Sequence, residues 1–113
     1  MNMLNAQDYR IDYSVGADRA VLHGVMRLAS PAAYDAALAA VRARVEQAGA
    51  TTIDLLDLAF MNSSGIRALA SLVLLAKAKG APLRLVASDR VPWQKKTMAS
   101  LRGIHDGLIV ELQ

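Results

Sequence analysis

The chain predicts an α/β fold: a mixed β-sheet of about five strands, begun by an N-terminal hairpin, with three or more α-helices packed on it. Three observations lead there. An alternating segment, Tyr9 to Val15, precedes a second β-rich segment, Ala20 to Leu28. From Ser30 onward, helical patterns alternate with short aliphatic runs. Glycines also stand where those helices should stop, at Gly49, Gly80 and Gly103.

In YRIDYSV, Tyr9, Ile11, Tyr13 and Val15 alternate with polar residues, as in a half-buried strand. Gly16-Ala17-Asp18 reads as the turn of the hairpin. Ser30-Pro31 is a helix start, because serine caps free N–H groups and proline suits the first helical position. That helix should run to about Ala48 and stop at Gly49. Tyr34, Leu38, Val41 and Val45 form its apolar stripe, with Asp35, Arg42 and Glu46 opposite. Thr51 to Leu56 is a strand, and Asp57 to Ser63 a loop. A second helix should open at Ser64 or Gly65 and end near Lys79, capped by Gly80. Leu83 to Ala87 is a strand, Ser88 to Pro92 a loop, Trp93 to about Leu101 a third helix, and Leu108 to Leu112 a last strand. No repeat or linker interrupts this order, so residues 1–113 read as a single domain.

Composition limits the function. The chain is 54% apolar but only 4% aromatic, which implies an aliphatic core with closely packed helices. It has no cysteine, which excludes a disulfide scaffold and thiolate metal sites and is compatible with a cytoplasmic protein. The longest apolar stretch, Ile66 to Ala78, is broken by Arg67, Ser71 and Lys77, whereas a membrane span needs about 20 apolar residues. The N-terminal MNMLNAQDYR lacks the apolar run of an export signal. Residues 1–56 carry five basic and six acidic residues, and residues 57–113 carry eight and four. That excess is too small for a nucleic-acid footprint and suits an acidic protein partner or a phosphate. No nucleophile–base–acid set, glycine-rich phosphate loop or metal-ligand spacing is visible, so neither an enzyme nor a bound cofactor or metal is expected. His23 and His105 read as structural or exposed. Asp54 and Asp57 could pair on a metal, but Asp54 more simply bonds loop backbone, with Asp57 in the turn.

The distinctive stretch is Asn62-Ser63-Ser64-Gly65, between an apolar segment and an apolar helix. A serine there can cap the helix, or it can carry a phosphate, because a helix start favours an anion. Gly65 would let a partner or a nucleotide approach closely. On the second helix, Ile66, Leu69, Ala70, Val73 and Ala76 should face the sheet, with Ala68, Leu72 and Leu75 on the other side. That side is either covered by another helix or open to a partner or to self-association. Trp93, followed by Lys95 and Lys96, is a helix-start anchor or an interface residue.

The run IDLLDLAFMNSSGI, Ile53 to Ile66, resembles the central motif of STAS domains, the fold of anti-sigma factor antagonists. In that family a strand ending in a Leu-Asp-Leu step leads to Asp-Ser-Ser-Gly-Leu at a helix start. The order of elements matches from about Tyr9 to Leu112. The resemblance implies a non-enzymatic bacterial regulator of signal transduction and transcription that switches partners when phosphorylated. It implies Ser63 as phospho-acceptor, with Ser64 as alternative acceptor or capping neighbour. Its implied partners are a serine kinase and anti-sigma factor of the histidine-kinase-like ATPase type and a PP2C-type phosphatase. Asn62, Ser63, Ser64, Gly65, Ala68, Leu72, Leu75 and Trp93 are the expected docking residues. Asn62 stands where the family has Asp. With the later Pro92-Trp93-Gln94-Lys95-Lys96, this is similar to a subgroup apart from the sporulation and stress antagonists. The alternative is a structural subunit of an assembly or of a lipid or anion transporter, with Ser63 only a cap.

Overall fold

The structure, a computed structural model, describes residues 3–5, 8–16 and 18–113. Part of the expected hairpin turn, Ala17, and part of the N-terminal segment lie outside these residues. Ten elements follow one another: β1 (Met3–Asn5), β2 (Tyr9–Gly16), β3 (Arg19–Met26), α1 (Pro31–Ala37), α2 (Ala39–Glu46), β4 (Thr51–Met61), α3 (Ser63–Lys79), β5 (Leu83–Ala87), α4 (Pro92–Ile104) and β6 (Ile109–Leu112). The sheet is mixed, with spatial order β1-β2-β3-β4-β5-β6. The β1–β2 and β2–β3 pairs are antiparallel, and the pairs from β3 to β6 are parallel. The α/β class and mixed sheet are as expected, with β1 added at one edge.

One face of the sheet is the core. Ile11, Ala20, Leu22, Ile53, Leu55, Leu83, Leu85 and Ala87 are all nearly inaccessible there. The four helices cover this face, with α3 packed against α1, α2 and α4. The alternate residues point the other way and carry charge: Arg19 pairs with Asp54 at 2.6 Å, and Arg84 with Glu111 at 3.1 Å. Burying a strand face in steps of two is what makes this register robust.

Several boundaries differ from expectation. The helix expected from Ser30 to Ala48 is two segments joined at Leu38, whose φ of −102° leaves the helical range. The hydrogen bonds carry through the joint: the Leu38 N–H donates to Tyr34 O and the Arg42 N–H to Leu38 O. The left-handed residue that ends α2 is Ala48, with φ 59°, not Gly49. Gly49 instead gives room to Arg44, whose Cγ a β-carbon there would meet at 3.0 Å. The α4 helix starts one residue before Trp93 and continues to Ile104.

The largest difference is β4, which runs through the expected loop Asp57–Ser63 as far as Met61. Its two edges explain this. On one side it pairs with β3 up to Met26↔Met61, with two register shifts, between Val21 and His23 and between Gly24 and Val25. Pairing with β5 on the other side runs only from Thr51 to Asp54. Beyond Asp54 that edge is met by the first turn of α4. Gln94, fully buried, donates from Nε2 to Leu55 O at 2.6 Å and Leu58 O at 2.8 Å. Its Oε1 accepts from the Ser88 N–H at 2.8 Å. The Trp93 indole N–H donates to Ala59 O at 2.9 Å. Buried backbone groups must be paired, and here two side chains replace a neighbouring strand. Local composition suggested a loop, but tertiary pairing made a strand.

Gln94→Ala should therefore lower the unfolding free energy by about 2–4 kcal/mol, because it strands buried backbone groups rather than removing one exposed bond. Urea denaturation followed by circular dichroism would measure this; a change under about 0.5 kcal/mol, the scale of an ordinary surface substitution, would show that the backbone finds other partners.

Candidate functional site

The α3 helix begins at Ser63, and Asn62, not a serine, caps it. The expected start at Ser64 or Gly65 is thus corrected, and so is the capping role given to Ser64. Asn62 has an extended backbone, with φ −75° and ψ 175°, which frees its side chain to turn back on the helix. Its Oδ1 accepts from the Gly65 N–H at 3.2 Å and from the Tyr34 hydroxyl at 2.7 Å. Its Nδ2 donates to Leu28 O at 3.0 Å. Its own N–H donates to Met26 O at 3.1 Å.

The amide suits this position because it both accepts and donates. A carboxylate could accept the same two bonds, but it has no proton to offer the Leu28 carbonyl. Asn62 thus has a local physical reason to stand where the related motif has Asp.

Tyr34 reaches this junction from α1 and is fully buried. Its hydroxyl lies 2.9 Å from Met26 O as well as 2.7 Å from Asn62 Oδ1, so one proton is shared between two acceptors. Burial pushes the phenol above its ordinary value, and hydrogen bonding partly opposes this. Stability linked to that shift is present below the unfolded pKa and is lost as pH rises through the folded one.

Gly65 is buried and closely packed. A β-carbon there would lie 2.3 Å from Met61 Cγ and 2.7 Å from Tyr34 Cζ. The expectation that Gly65 opens space for a partner is overturned, because its own core fills that space. Ala68 and Leu72 are also core residues, 1% and 2% exposed, under the packing of α3 on its neighbouring helices. Leu75 is half-buried. The exposed leucine of α3 is Leu74, at 53%. The sequence pattern misplaced these residues because α3 packs against three helices, α1, α2 and α4, as well as on the sheet.

Ser63 differs from the rest of the motif. It is exposed at the first helical position, and its hydroxyl takes no part in the cap. Ser64 is half-buried. Phe60, just ahead, is 40% exposed beneath the Arg27 guanidinium, 5.3 Å from the ring centre. Arg67, one turn along α3, is exposed on the Ser63 side. Trp93 is half-buried at the rim of the same strand end. Its indole bond to Ala59 supports the anchor reading.

The acidic pair does not converge. Asp54, 8% exposed, accepts from Arg19 and from the Leu56 N–H at 2.9 Å. Asp57 projects outward toward His23 Nδ1 at 3.4 Å. Gln94 was missed from the sequence. Its signal was its spacing from Met98 and Leu101, which puts it on the buried stripe of α4.

Asn62→Ala should cost about 1–2 kcal/mol of stability through loss of the cap and its reciprocal bonds, as read by thermal or urea unfolding. Gly65→Ala should cost about 1–3 kcal/mol by overpacking against Met61 and Tyr34. Unchanged stability in Gly65→Ala would show that these neighbours relax and that close packing is not what selects glycine.

The comparisons with known proteins agree with this architecture. A crystal structure titled as the diguanylate cyclase SiaD in complex with its activator SiaC, from Pseudomonas aeruginosa, contains a similar chain. The TM-score is 0.65 and the identity 17%, with 96% of each chain covered, so the likeness is one of fold. No curated protein sequence matches the chain. The STAS domain family model matches residues 20–106, from the start of β3 through α4, and the chain belongs to the STAS domain family.

Proposed function

We propose that this chain is a non-enzymatic regulator that switches protein partners through phosphorylation of Ser63. One observation carries the reading. In the motif, Asn62 is committed to the cap, Gly65 to close packing, and Ser64 is half-buried, whereas Ser63 is exposed and takes no part in the cap. A phosphate there adds close to two negative charges at neutral pH, next to exposed Arg67 and without touching the core. An anion at a helix start is tolerated or mildly stabilising, so the switch changes a surface and leaves the fold intact.

By resemblance, the modifying enzyme is a histidine-kinase-like ATPase that also serves as anti-sigma factor, reset by a PP2C-type phosphatase. The neighbouring structure widens the choice of client, since there an activator, SiaC, is bound to a diguanylate cyclase, SiaD. On this reading the chain works as a single domain in the cytoplasm. Among the described residues no helix is long and apolar enough to cross a membrane.

The test is titration calorimetry of wild type, Ser63→Ala and Ser63→Asp against the cognate kinase-like ATPase. Ser63→Ala should bind as wild type. Ser63→Asp should bind at least about a hundredfold more weakly, because a charge buried without a partner at the interface costs on the order of 3–5 kcal/mol. Equal affinity for all three would make Ser63 no more than a helix residue, and the structural-subunit reading would then lead. Phosphate mapped to Ser64 after incubation with kinase and ATP would move the switch by one residue.

A further inference from the structure

The helical layer is divided by charge. The α1 and α2 helices mix signs: Asp35, Arg42 and Glu46 form a chain of ion contacts between them. The α3 and α4 helices contain no acidic residue at all. Their cations are Arg67, Lys77, Lys79, Lys95, Lys96 and Arg102, and all six are exposed. None makes an ion pair among the described residues, where the described pairs involve Arg19, His23, Arg42 and Arg84. The two helices pack side by side. At one end Trp93 fastens α4 to Ala59 of β4, the strand that leads into α3, and at the other the Lys77 ammonium of α3 donates to Ile104 O of α4 at 3.1 Å.

Half of this charge has an ordinary explanation. Lys77, Lys79 and Arg102 stand in last turns, where cations favour the helix dipole. Arg67, Lys95 and Lys96 have no such reason, since each lies within about a turn and a half of a helix start, where the dipole disfavours a cation. No helix carries an acid in its first turn. The N-terminal halves of α3 and α4 are thus more positive than helix stability asks, and Ser63 sits at their border.

Resting on the phosphorylation reading above, we infer that the outer face of α3 and α4, centred on Arg67, Lys95 and Lys96, docks an acidic segment of the partner protein, and that a phosphate on Ser63 competes with that segment for the same cations. The competition is geometric. Arg67 is four residues from Ser63, so the two side chains share one helix face. Phosphate pairs strongly with arginine, so the modified serine takes the guanidinium the partner needs and repels its carboxylates. The unmodified chain binds and the phosphorylated chain lets go. A lipid surface fits less well. Membrane-seated helices bury a broad apolar face, but α3 keeps Leu69, Leu72 and Val73 in the core, and Leu74 is its one fully exposed large apolar residue. Nucleic acid fits less well too, since bases stack on open aromatic faces, and the one aromatic of α3 and α4, Trp93, is half-buried and bonded to Ala59 O.

The test uses the full chain and the emission of Trp93, its only tryptophan. An oligo-glutamate peptide is titrated at about 0.05 M salt, where screening is weak. Saturable binding is expected, weakened about tenfold or more in Arg67→Glu/Lys95→Glu and less than about twofold in Lys79→Glu/Arg102→Glu, which changes net charge equally at the far end. Ser63→Asp should weaken binding as well. Weakening by the first pair but not by Ser63→Asp supports the docking face and overturns the competition at Ser63. The proposal is overturned by absence of saturable binding or by equal loss in both pairs. It is overturned also if phosphatidylglycerol vesicles or duplex DNA bind wild type more tightly than the peptide does.

Discussion

The Asn62 amide is the contact on which the rest of the site depends. It touches three elements besides its own: the Gly65 N–H in α3, Tyr34 in α1, and the Leu28 carbonyl just past β3. Each of those groups lies in or beside the core and needs a partner, so losing one side chain would unpair several groups. That makes the junction of strand end and helix start a single rigid unit. Ser63 is therefore held by its predecessor in the chain. An exposed group on a rigid support is a good surface for a reversible modification, because charge can be added without structural cost.

A second dependence runs through α4. The C-terminal half of β4 has no strand on its β5 side, and the amide of Gln94 and the indole of Trp93 stand in for one. The strand end that carries the motif is thus fixed from both edges, by β3 and by α4. The order of elements in the chain brings this about, since the two parallel units β4-α3 and β5-α4 lie side by side.

Much of the fold was legible in the sequence, because period and punctuation carry it. Alternation marked β2, Ser30-Pro31 marked the start of α1, and Gly80, left-handed with φ 65°, marked the end of α3. What failed was context. Asp57 and Ala59 look like loop residues and become strand only because β3 and α4 reach them. Leu72 looked free because a single helix pattern cannot show how many helices surround it, and α3 has three neighbours. Of the candidate site, Ser63 and Asn62 were legible through the family motif. The roles within the motif were not, since both a serine and an asparagine are good caps and only the backbone at Asn62 decides between them.

Gly24 has a wider reach than its place in β3 suggests. It is left-handed, with φ 89°, at the second register shift with β4, and a β-carbon there would fall 2.3 Å from the Asp8 carbonyl oxygen. The next residue, Val25, donates its N–H to that same oxygen at 2.8 Å. Any side chain at 24 must push β2 and β3 apart or undo the bulge, and undoing it slides the partners of Phe60 and Met61 by one position. A one-residue slide would carry Asn62 away from Tyr34 and Leu28 and turn the start of α3. A variant in which Ser63 is intact but its setting is lost would trace the fault to a glycine on another strand, thirty-nine residues earlier in the chain.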